Sequence, residues 1–274
     1  MGREAVVESE LVDFLDALAD VSGAAILPHF RSRLAVENKL STAAGKAFDP
    51  VTVADRAAEV AMRALIGERY PAHGILGEEF GRERLDAEHV WVLDPIDGTR
   101  AFISGLPVWG TLIGLERDGV PVAGMMHQPF TGERYAGARL ADGTRRAWYR
   151  GPEGARELAT RTCAALADAV MFTTSPSLFT AEERVAFERV EATVKLSRYG
   201  VDCYAYCMVA AGFVDVVIEA GLQPYDIVAL IPVIEAAGGV VTSWTGGSAA
   251  EGGQVVASGD PRLHDEVLRL LAAG

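Results

Sequence analysis

Apolar residues recur at intervals of three and four positions near the start of the chain. This spacing places them on one face of an α-helix, because each helical turn holds about 3.6 residues. The residues of this face are Leu11, Phe14, Leu15, Leu18 and Ile26. Ser9, a residue type that caps helix N-termini, precedes them, and we predict a first helix over residues 9 to about 30.

A second helical pattern follows a polar, Ala-rich loop that occupies residues 37–50. We predict this helix over residues 53–70. Its expected buried face consists of Val53, Ala57, Val60, Ala61, Ala64 and Leu65. Thr52 and Asp55 have the spacing of a capping box, which would account for Asp55 without any catalytic role.

Two short apolar runs end abruptly in acidic residues. Residues 74–77 are followed by Glu78 and Glu79, and residues 90–93 are followed by Asp94. Short apolar runs bounded in this way are typical of buried strands. Each predicted strand therefore delivers a carboxylate at its C-terminal end.

The middle of the chain has the pattern of an antiparallel sheet. Residues 111–115 and 120–125 are apolar and flank the pair Asp118 and Gly119, which is a strong hairpin signal. Asp142 and Gly143 mark another turn of the same kind. We predict antiparallel strands through residues 110–149.

Strands and helices alternate in the last part of the chain. The predicted strands are residues 169–173, 214–219, 239–243 and 255–258, and the predicted helices are residues 181–194, 202–211, 225–237 and a last one from Pro261. This alternation favours a parallel or mixed sheet covered by helices. We predict an N-terminal α+β domain, residues 1–145, with most metal ligands, and a C-terminal α/β domain, residues 146–274, with the substrate-side residues.

Composition and charge narrow the classes of function. Half of the 274 residues are hydrophobic, and 25 Lys and Arg against 38 Asp and Glu give a formal net charge of −13. The apolar content predicts a packed globular protein. The negative charge argues against nucleic acid and against an anionic membrane surface as partners. An acidic enzyme can still bind a phosphorylated metabolite if a divalent cation lies between the charges.

Cysteine usage and the absence of targeting patterns predict a cytoplasmic protein. Cys163, Cys203 and Cys207 form an odd, sparse set, which is neither a disulfide framework nor a zinc motif. We expect all three to be small buried apolar residues. The sequence has no signal-peptide pattern and no apolar run near the roughly 18 residues of a membrane span.

The densest chemistry lies in residues 94–99. Asp94 and Asp97 flank Pro95, which prevents a helix interior and forces the chain to turn. Two carboxylates on such a turn repel each other unless a proton or a cation intervenes, and Mg²⁺ with oxygen ligands is the usual cation where phosphate binds. Gly98 allows close approach of a ligand, and a helix that begins after Thr99 would offer free N–H groups to an anion.

Each acidic residue also has an explanation that needs no function. Asp97 with Gly98 is a common turn pair, and Glu78 with Glu79 would fit a solvated face. Asp226, near a helix start, would complement the helix dipole. That four separate element ends each present an acid favours a shared site over four unrelated explanations.

Four motifs together resemble the inositol monophosphatase family. They are residues 49–55, 77–79, 94–99 and 225–239. They occur in the family's order, and the resemblance covers about residues 10 to 270. It implies a layered α/β/α/β/α fold shared with fructose-1,6-bisphosphatase, a homodimer, and Mg²⁺-dependent hydrolysis of small phosphate monoesters.

The same resemblance assigns metal ligands. Glu78, Asp94 and the carbonyl of Ile96 would hold a first Mg²⁺ ion, and Asp94, Asp97 and Asp226 a second. A weaker third ion would depend on Glu78, which we therefore count among the catalytic residues as well. Two or three ions are expected in all.

Further roles follow from the resemblance. Asp55 and Thr99 would orient and deprotonate the attacking water, and the backbone N–H groups of Gly98 and Thr99 would bind the phosphate. The family also places a lysine in the loop before Asp55. Here that loop contains Lys39 and Lys46, and the sequence leaves open which one would serve.

Within the family, three segments resemble the histidinol-phosphate phosphatase branch. They are residues 100–113, 199–206 and 213–219. Histidinol phosphate carries an amine and an imidazole, both able to be cations, so Asp97, Asp202 and Glu219 would suit it as substrate-binding residues. A polyol such as inositol would use the same acids as hydrogen-bond acceptors. Without function, Asp202 would be an N-cap and Glu219 a solvated strand end, whereas we expect Phe102 and Trp109 in the core.

Three hypotheses follow. The first is a Mg²⁺-dependent histidinol-phosphate phosphatase of histidine biosynthesis, and the second is an inositol-1-monophosphatase or a phosphatase of broad specificity for sugar phosphates. The third is a catalytically silent subunit that binds metal and phosphate. The presence of all the family's acidic residues and of Thr99 argues against the third.

Overall fold

The computed structural model describes residues 7, 9–32, 37–38 and 50–273. In these ranges the α-helices are α1 (Ser9–Ile26), α2 (Val53–Arg69), α3 (Thr99–Ile103), α4 (Ala181–Glu191), α5 (Tyr204–Ala210), α6 (Pro224–Ile227), α7 (Leu230–Ala236) and α8 (Pro261–Ala272). The strands are β1 (Glu37–Asn38), β2 (Pro50–Val51), β3 (Gly74–Gly77), β4 (Gly81–Glu83), β5 (His89–Asp97), β6 (Gly110–Arg117), β7 (Val120–Gln128), β8 (Glu133–Arg139), β9 (Arg145–Gly151), β10 (Gly154–Glu157), β11 (Val170–Thr173), β12 (Leu196–Tyr199), β13 (Val216–Leu222), β14 (Val240–Ser243) and β15 (Gly253–Ser258).

Two sheets carry most of these strands. The larger has eight strands in the order β10-β9-β8-β7-β6-β5-β3-β4, and the smaller has five in the order β12-β11-β13-β15-β14. The larger sheet is antiparallel except for the parallel pair β3 and β5. The smaller is mixed, since β11 runs parallel to β12 and β13 while β15 is antiparallel to β13 and β14. Both sheet types agree with the predictions from the sequence.

Helices separate and cover the sheets to give five layers. Helices α1 and α2 pack on each other and on the larger sheet through β5, β6 and β7. Helices α5 and α7 lie between the two sheets, and α7 contacts β7, β8, β9 and also β14. Helix α8 packs on α4 and on β15. This is the α/β/α/β/α sandwich that the resemblance implied.

The first helix and the first hairpin confirm their predictions. The five expected apolar residues of α1 are buried, although the helix ends at Ile26 and residues 27–30 form turns. The hairpin of β6 and β7 closes at Asp118 and Gly119, which both have positive φ, as a type I′ turn requires.

The predicted buried face of α2 is wrong. The helix buries Ala54, Ala58, Met62 and Ile66, whereas Val53 and its neighbours on the expected face are partly or fully exposed. The reason is that the inward face also carries two acidic residues, which an apolar pattern does not count. Of the predicted face, Val53, Val60 and Ala64 are exposed and Ala57 and Ala61 are half-buried, whereas Leu65 is half-buried against the core.

The helix predicted over residues 225–237 is divided. It consists of α6 and α7, with Val228 and Ala229 in a turn between them. Pro232 in α7 has no N–H to donate to the carbonyl of Val228, so the helical hydrogen-bond series is broken at this point. The division leaves Asp226 in the first turn of its own short helix.

Several other predictions can be compared with the structure. All three cysteines are free and buried, and Phe102 and Trp109 lie in the core. Strands β9 and β10 belong to the larger sheet, which therefore extends past residue 145, and the division into two domains stays a prediction. Lys39 and Lys46 lie outside the described residues. No helix in the described ranges is both long enough and apolar enough to cross a membrane.

Candidate active site

Strand β5 brings two carboxylates to the same side of the larger sheet. Residues three apart on a regular strand face opposite sides, because side chains alternate. Here Asp94 pairs with Leu112 and Asp97 with Gly110, so three steps along β5 match two along β6. This bulge contains Pro95, which has no N–H for the ladder. The extra residue turns Asp97 to the side of Asp94.

A third carboxylate comes from the short helix α6. Asp226 is its third residue and accepts a hydrogen bond from the N–H of Gln223 at 2.7 Å. One carboxylate oxygen each from Asp94, Asp97 and Asp226 lie within 4.8 Å of one another. The helix start thus holds Asp226 in place while its carboxylate joins the pair on β5.

The three acids form a site that suits a hard divalent cation. Burial raises the pKa of Asp94 well above its usual value, and the nearby charges of Glu78, Asp97 and Asp226 raise it further. Burial, Asp202 and Asp226 act in the same way on the pKa of Asp97. A cation with oxygen ligands would remove this repulsion, and a set of carboxylates only is typical of Mg²⁺ or Ca²⁺.

Glu78 lies beside this cluster because β3 and β5 run parallel. Their C-terminal ends meet at one edge of the sheet, and the N–H of Glu78 donates to the carbonyl of Leu93 at 3.1 Å. The Glu78 carboxyl is close enough to Asp94 to share a hydrogen bond with it and to raise its pKa. The structure therefore brings together all four predicted carboxylate ligands.

Asp55 is held by the predicted capping box. Its Oδ2 accepts hydrogen bonds from the N–H of Thr52 at 2.8 Å and from the Thr52 hydroxyl at 2.6 Å. Its side chain is almost completely buried. Burial raises the pKa of Asp55, the Thr52 hydrogen bonds lower it, and Glu78 raises it again. The capping role is thus confirmed, and the effect of Glu78 shows that Asp55 is near the carboxylate cluster.

Gly98 forms the turn between β5 and α3, and Thr99 is the first residue of α3. The Thr99 hydroxyl donates to the carbonyl of Ile96 at 3.0 Å. Gly98 has φ of 80°, and a Cβ there would lie 3.0 Å from Cβ and Cγ of Asp202. Only glycine fits this position without strain, for both its backbone conformation and its contact with Asp202.

A cavity of about 430 Å³ opens at this cluster. The predicted site residues that line it are Glu78, Asp94, Ile96, Asp97, Gly98, Thr99, Asp202, Glu219 and Asp226. Asp55 does not line it. Arg100, Thr174, Leu178 and Tyr225 also contribute. None of the four was predicted as a site residue. Arg100 and Tyr225 begin segments that carried the resemblance, whereas no motif or charge pattern distinguishes Thr174 and Leu178.

Asp202 is not the N-cap of α5. The helix begins at Tyr204 with Cys203 in the cap position and no side-chain cap hydrogen bond. Asp202 instead has positive φ and lines the cavity. Burial raises its pKa to about 6, and the nearby Arg100 guanidinium lowers it. The N–H of the next residue, Cys203, donates to Asp97 at 2.8 Å, which fixes this turn against the carboxylate cluster.

Glu219 is not a solvated strand end. It lies on β13 with only 3% of its surface exposed. Its carboxylate accepts hydrogen bonds from the N–H of Thr174 at 2.6 Å and from the Thr173 hydroxyl at 3.2 Å. Burial raises the pKa of Glu219 to about 7, against the effect of these donors. The smaller sheet therefore supplies one acid to the cavity.

Comparisons with known proteins agree with this architecture. A model of the inositol monophosphatase family matches residues 8–273. A chloroplastic bifunctional phosphatase of Arabidopsis thaliana is 44% identical over 267 residues, covering 93% of this chain and 73% of the plant protein. A histidinol-phosphatase of Mycobacterium tuberculosis is 39% identical over 229 residues, which cover 82% of this chain and 85% of that protein. An inositol monophosphatase structure from Zymomonas mobilis matches with a TM-score of 0.84 and 39% identity, and the match covers 96% of this chain and 98% of that one.

The layered fold and the family match define a phosphatase that acts on small phosphorylated substrates. The chain belongs to the inositol monophosphatase family. Members of this family are in general metal-dependent, and the acidic cluster of Asp94, Asp97 and Asp226 is present here.

Proposed function

We propose that the protein is a Mg²⁺-dependent phosphatase that hydrolyses L-histidinol phosphate to L-histidinol and phosphate in histidine biosynthesis. The observation that carries this proposal is the composition of the cavity, in which Asp202 and Glu219 accompany the carboxylate cluster. Support comes also from the relative named histidinol-phosphatase. The Zymomonas mobilis structure is named as an inositol monophosphatase at the same identity, so an inositol-1-monophosphatase is the alternative.

The chain's oxygen ligands would hold two Mg²⁺ ions. We assign Glu78, Asp94 and the Ile96 carbonyl to one ion and Asp94, Asp97 and Asp226 to the other. A third, weaker ion would depend on Glu78. Bound Mg²⁺ supplies Lewis acidity, which neutralises phosphoryl charge and makes water a better nucleophile.

Asp55 and Thr99 orient the attacking water, and Asp55 deprotonates it. Both contacts from Thr52 go to Oδ2 of Asp55, and we assign Oδ1 as the atom that takes the proton. A raised pKa brings this base closer to the operating pH, where general bases act best. The Thr99 hydroxyl donates to the Ile96 carbonyl, so its oxygen is left to accept a hydrogen bond from the water. The backbone N–H groups of Gly98 and Thr99 bind the phosphate.

Asp97, Asp202 and Glu219 would recognise the rest of the substrate. The amine and the imidazole of histidinol phosphate can each carry a positive charge, and a hydrogen bond between charged partners is about twice as strong as a neutral one. Inositol offers only hydroxyl groups to the same acids. The charge of Asp202 and Glu219 should therefore matter for histidinol phosphate and much less for inositol phosphate.

A phosphate-release assay on a matched panel tests the proposal. The panel contains histidinol phosphate, inositol 1-phosphate, fructose 1,6-bisphosphate and 3′-phosphoadenosine 5′-phosphate, each with saturating Mg²⁺. We expect the highest kcat/KM with histidinol phosphate. We also expect Asp202→Asn and Glu219→Gln to lower that value about tenfold each, or roughly 1.4 kcal/mol, with little effect on inositol phosphate. Glu188→Gln, which removes one charge of an exposed pair with Arg184, is the matched control.

Each other result has a definite meaning. A higher kcat/KM with another panel member would reject histidinol phosphate as the substrate. An unchanged preference in both variants would favour the inositol-type alternative. Tight ligand binding with no turnover of any panel member would indicate the catalytically silent subunit.

We also propose a homodimer and a cytoplasmic location. The three buried, free cysteines agree with a reducing compartment. Light scattering coupled to size-exclusion chromatography tests the dimer directly, since a monomer mass would reject it.

A further inference from the structure

We propose that Glu59 is a positioning residue that fixes Glu78 relative to Asp55. The inference rests on the proposed function, in which Glu78 is a metal ligand and Asp55 the base. Glu59 has no surface exposed to solvent. Glu59 lies in none of the four motifs that resemble the family. The sequence did not predict it as a buried residue, because the apolar pattern of α2 predicted a different buried face.

Glu59 holds the turn that follows Glu78. Its Oε2 accepts a hydrogen bond from the N–H of Glu79 at 2.7 Å, and its Oε1 accepts one from the N–H of Phe80 at 3.2 Å. On its other side, Glu78 donates its own N–H to Leu93 on β5. The backbone of Glu78 is therefore fixed both to β5 and to α2.

Arg63 bonds both Glu59 and the same turn. Its Nε donates to Oε1 of Glu59 at 2.7 Å, and its Nη2 donates to the carbonyl of Gly81 at 2.5 Å. Glu59 and Arg63 are four residues apart on α2, so they lie on the same helix face. The turn of residues 78–81 is thus bonded through its N–H groups to Glu59 and through a carbonyl to Arg63. Loss of one partner would leave a buried charge without compensation.

Gly77 shows how closely Glu59 approaches the strand. A Cβ at Gly77 would lie 1.9 Å from Oε1 of Glu59. The carboxylate occupies the space that any side chain would need. Glycine at this position is therefore required by Glu59 and not by backbone conformation, since Gly77 has no positive φ.

Helix α2 thereby connects two parts of the proposed chemistry. Asp55 and Glu59 are also four residues apart and share a face of the helix. A rigid helix that carries the base and also anchors the turn of a metal ligand keeps the two at a fixed separation. Partners that orient ligands in this way typically change metal affinity 10–100-fold when removed.

Mn²⁺ binding to the metal-free protein tests the role without relying on turnover. We expect Glu59→Gln to weaken the Kd for Mn²⁺, measured by electron paramagnetic resonance titration, by about 10–100-fold. The Mg²⁺ concentration for half-maximal activity should rise in parallel, while KM at saturating Mg²⁺ stays within about twofold. Hydrogen exchange of the Glu79 or Phe80 amide should accelerate in the variant, because the two amides bond different oxygens of Glu59 and glutamine replaces one of these with an NH₂ group that only donates.

Glu83→Gln is the matched control. Glu83 contacts the same Arg63 at 3.5 Å but bonds neither amide of the turn, so Mn²⁺ affinity should stay within about twofold of the unmodified protein. Glu78→Gln tests the assignment on which the inference rests. If Glu59→Gln does not fold, Arg63→Lys replaces it, since lysine cannot bond Glu59 and Gly81 together, and a smaller loss of Mn²⁺ affinity is expected.

The outcomes separate the two proposals. Weaker binding in Glu78→Gln with an unchanged Kd in Glu59→Gln would overturn the positioning role and leave the metal assignment intact. An unchanged Kd in Glu78→Gln would overturn the metal assignment, and the role of Glu59 with it. A lower Tm with unchanged Mn²⁺ affinity would show that Glu59 serves stability alone.

Discussion

Asp55 illustrates how one carboxylate can serve both a helix and a reaction. Its Oδ2 completes the capping box with Thr52, while the other oxygen is the proposed base. The capping box orients the carboxylate, and burial keeps the residue from rotating away. Asp55 can therefore cap helix α2 and act as the proposed base at the same time.

Replacing Thr52 separates these roles. Thr52→Val removes the hydroxyl that contacts Asp55 at 2.6 Å and that accepts from Ala54. We expect a loss of about 1 kcal/mol in the free energy of unfolding from the weakened cap. We also expect a fall in kcat of at least tenfold, because Asp55 loses one of the donors that orient it. Thr52→Ser keeps the hydroxyl and should behave like the unmodified protein in urea unfolding and phosphate release. A normal kcat in the valine variant would argue against Asp55 as the base.

Asp260 gives a pH-dependent contribution to stability that is remote from the site. Hydrogen bonds from Arg262 lower its pKa to about 2, and it also accepts from the N–H of Cys163 at 3.1 Å. A lowered pKa means that the ionised form stabilises the fold. That stabilisation is present above the unfolded value of 3.8 and is lost as the pH falls towards 2.

Asp260→Asn should reveal this contribution. Asparagine caps a helix about as well as aspartate, so the substitution removes mainly the charge. Because Arg262 is 63% exposed and solvent screens the pair, we expect a loss of about 1–2 kcal/mol at pH 7. Urea unfolding at a series of pH values should show this difference constant from pH 7 to 5 and shrinking below 3.8. A difference that grows on acidification would contradict the assignment.

At the scale of elements, the sequence predicts type and place better than orientation. The bounds of β3 and the hairpin of β6 and β7 follow from turn residues and apolar runs, which are local signals. The buried face of α2 does not, because Glu59 faces inward to bond the turn after β3, which is distant from α2 in the sequence. The turn predicted at Pro95 is wrong, because β5 continues through Pro95 to Asp97 and accommodates the missing N–H with a bulge. Its consequence, two carboxylates on one side, depends on the partner strand β6.

The start of α3 should be sensitive to a single methyl group. Gly98→Ala would place a Cβ 3.0 Å from Cβ and Cγ of Asp202, on a backbone with φ of 80°. We expect a loss of at least 1 kcal/mol in thermal unfolding, since both strain and overpacking oppose alanine. We also expect a lower kcat/KM, because Asp202 must shift within the cavity. Gly119→Ala, which meets nothing within 4 Å at a similar φ of 74°, measures the backbone strain alone.

At the scale of the whole molecule, the site is assembled from both sheets and from connections between layers. Asp94 and Asp97 come from the larger sheet, Glu78 from the turn between its strands β3 and β4, Glu219 from the smaller sheet, and Asp226 from α6. The sequence shows that these acidic residues lie at the ends of predicted strands and helices. It does not show which ends meet, because that depends on how closely the layers pack.

Glycines on the larger sheet set part of that spacing. A Cβ at Gly124 would lie 1.9 Å from the carbonyl oxygen of Ala229, and one at Gly137 would lie 2.3 Å from that of Pro232. The backbone around α7 therefore rests directly on β7 and β8. Asp226 lies just before this contact in the chain, so the close approach helps to hold its carboxylate near β5. Such a contact between distant segments leaves no signal in local sequence patterns.

Mg²⁺ should therefore stabilise the whole molecule, because it would bind carboxylates contributed by separate layers. At a Mg²⁺ concentration of about 100 times Kd, the expected gain in the free energy of unfolding is about 2.7 kcal/mol, or roughly 5–10 °C in Tm for a chain of this size.

Asp94→Asn should remove most of this stabilisation by Mg²⁺ and abolish turnover. The metal-free variant should be about 1 kcal/mol more stable, because one of three crowded carboxylates is gone while asparagine can still accept the hydrogen bond from Ile96. Glu188→Gln, which lowers the net negative charge elsewhere, should keep the full Mg²⁺ shift. An Asp94→Asn protein that is stabilised by Mg²⁺ as much as the unmodified protein would place the cation outside this cluster.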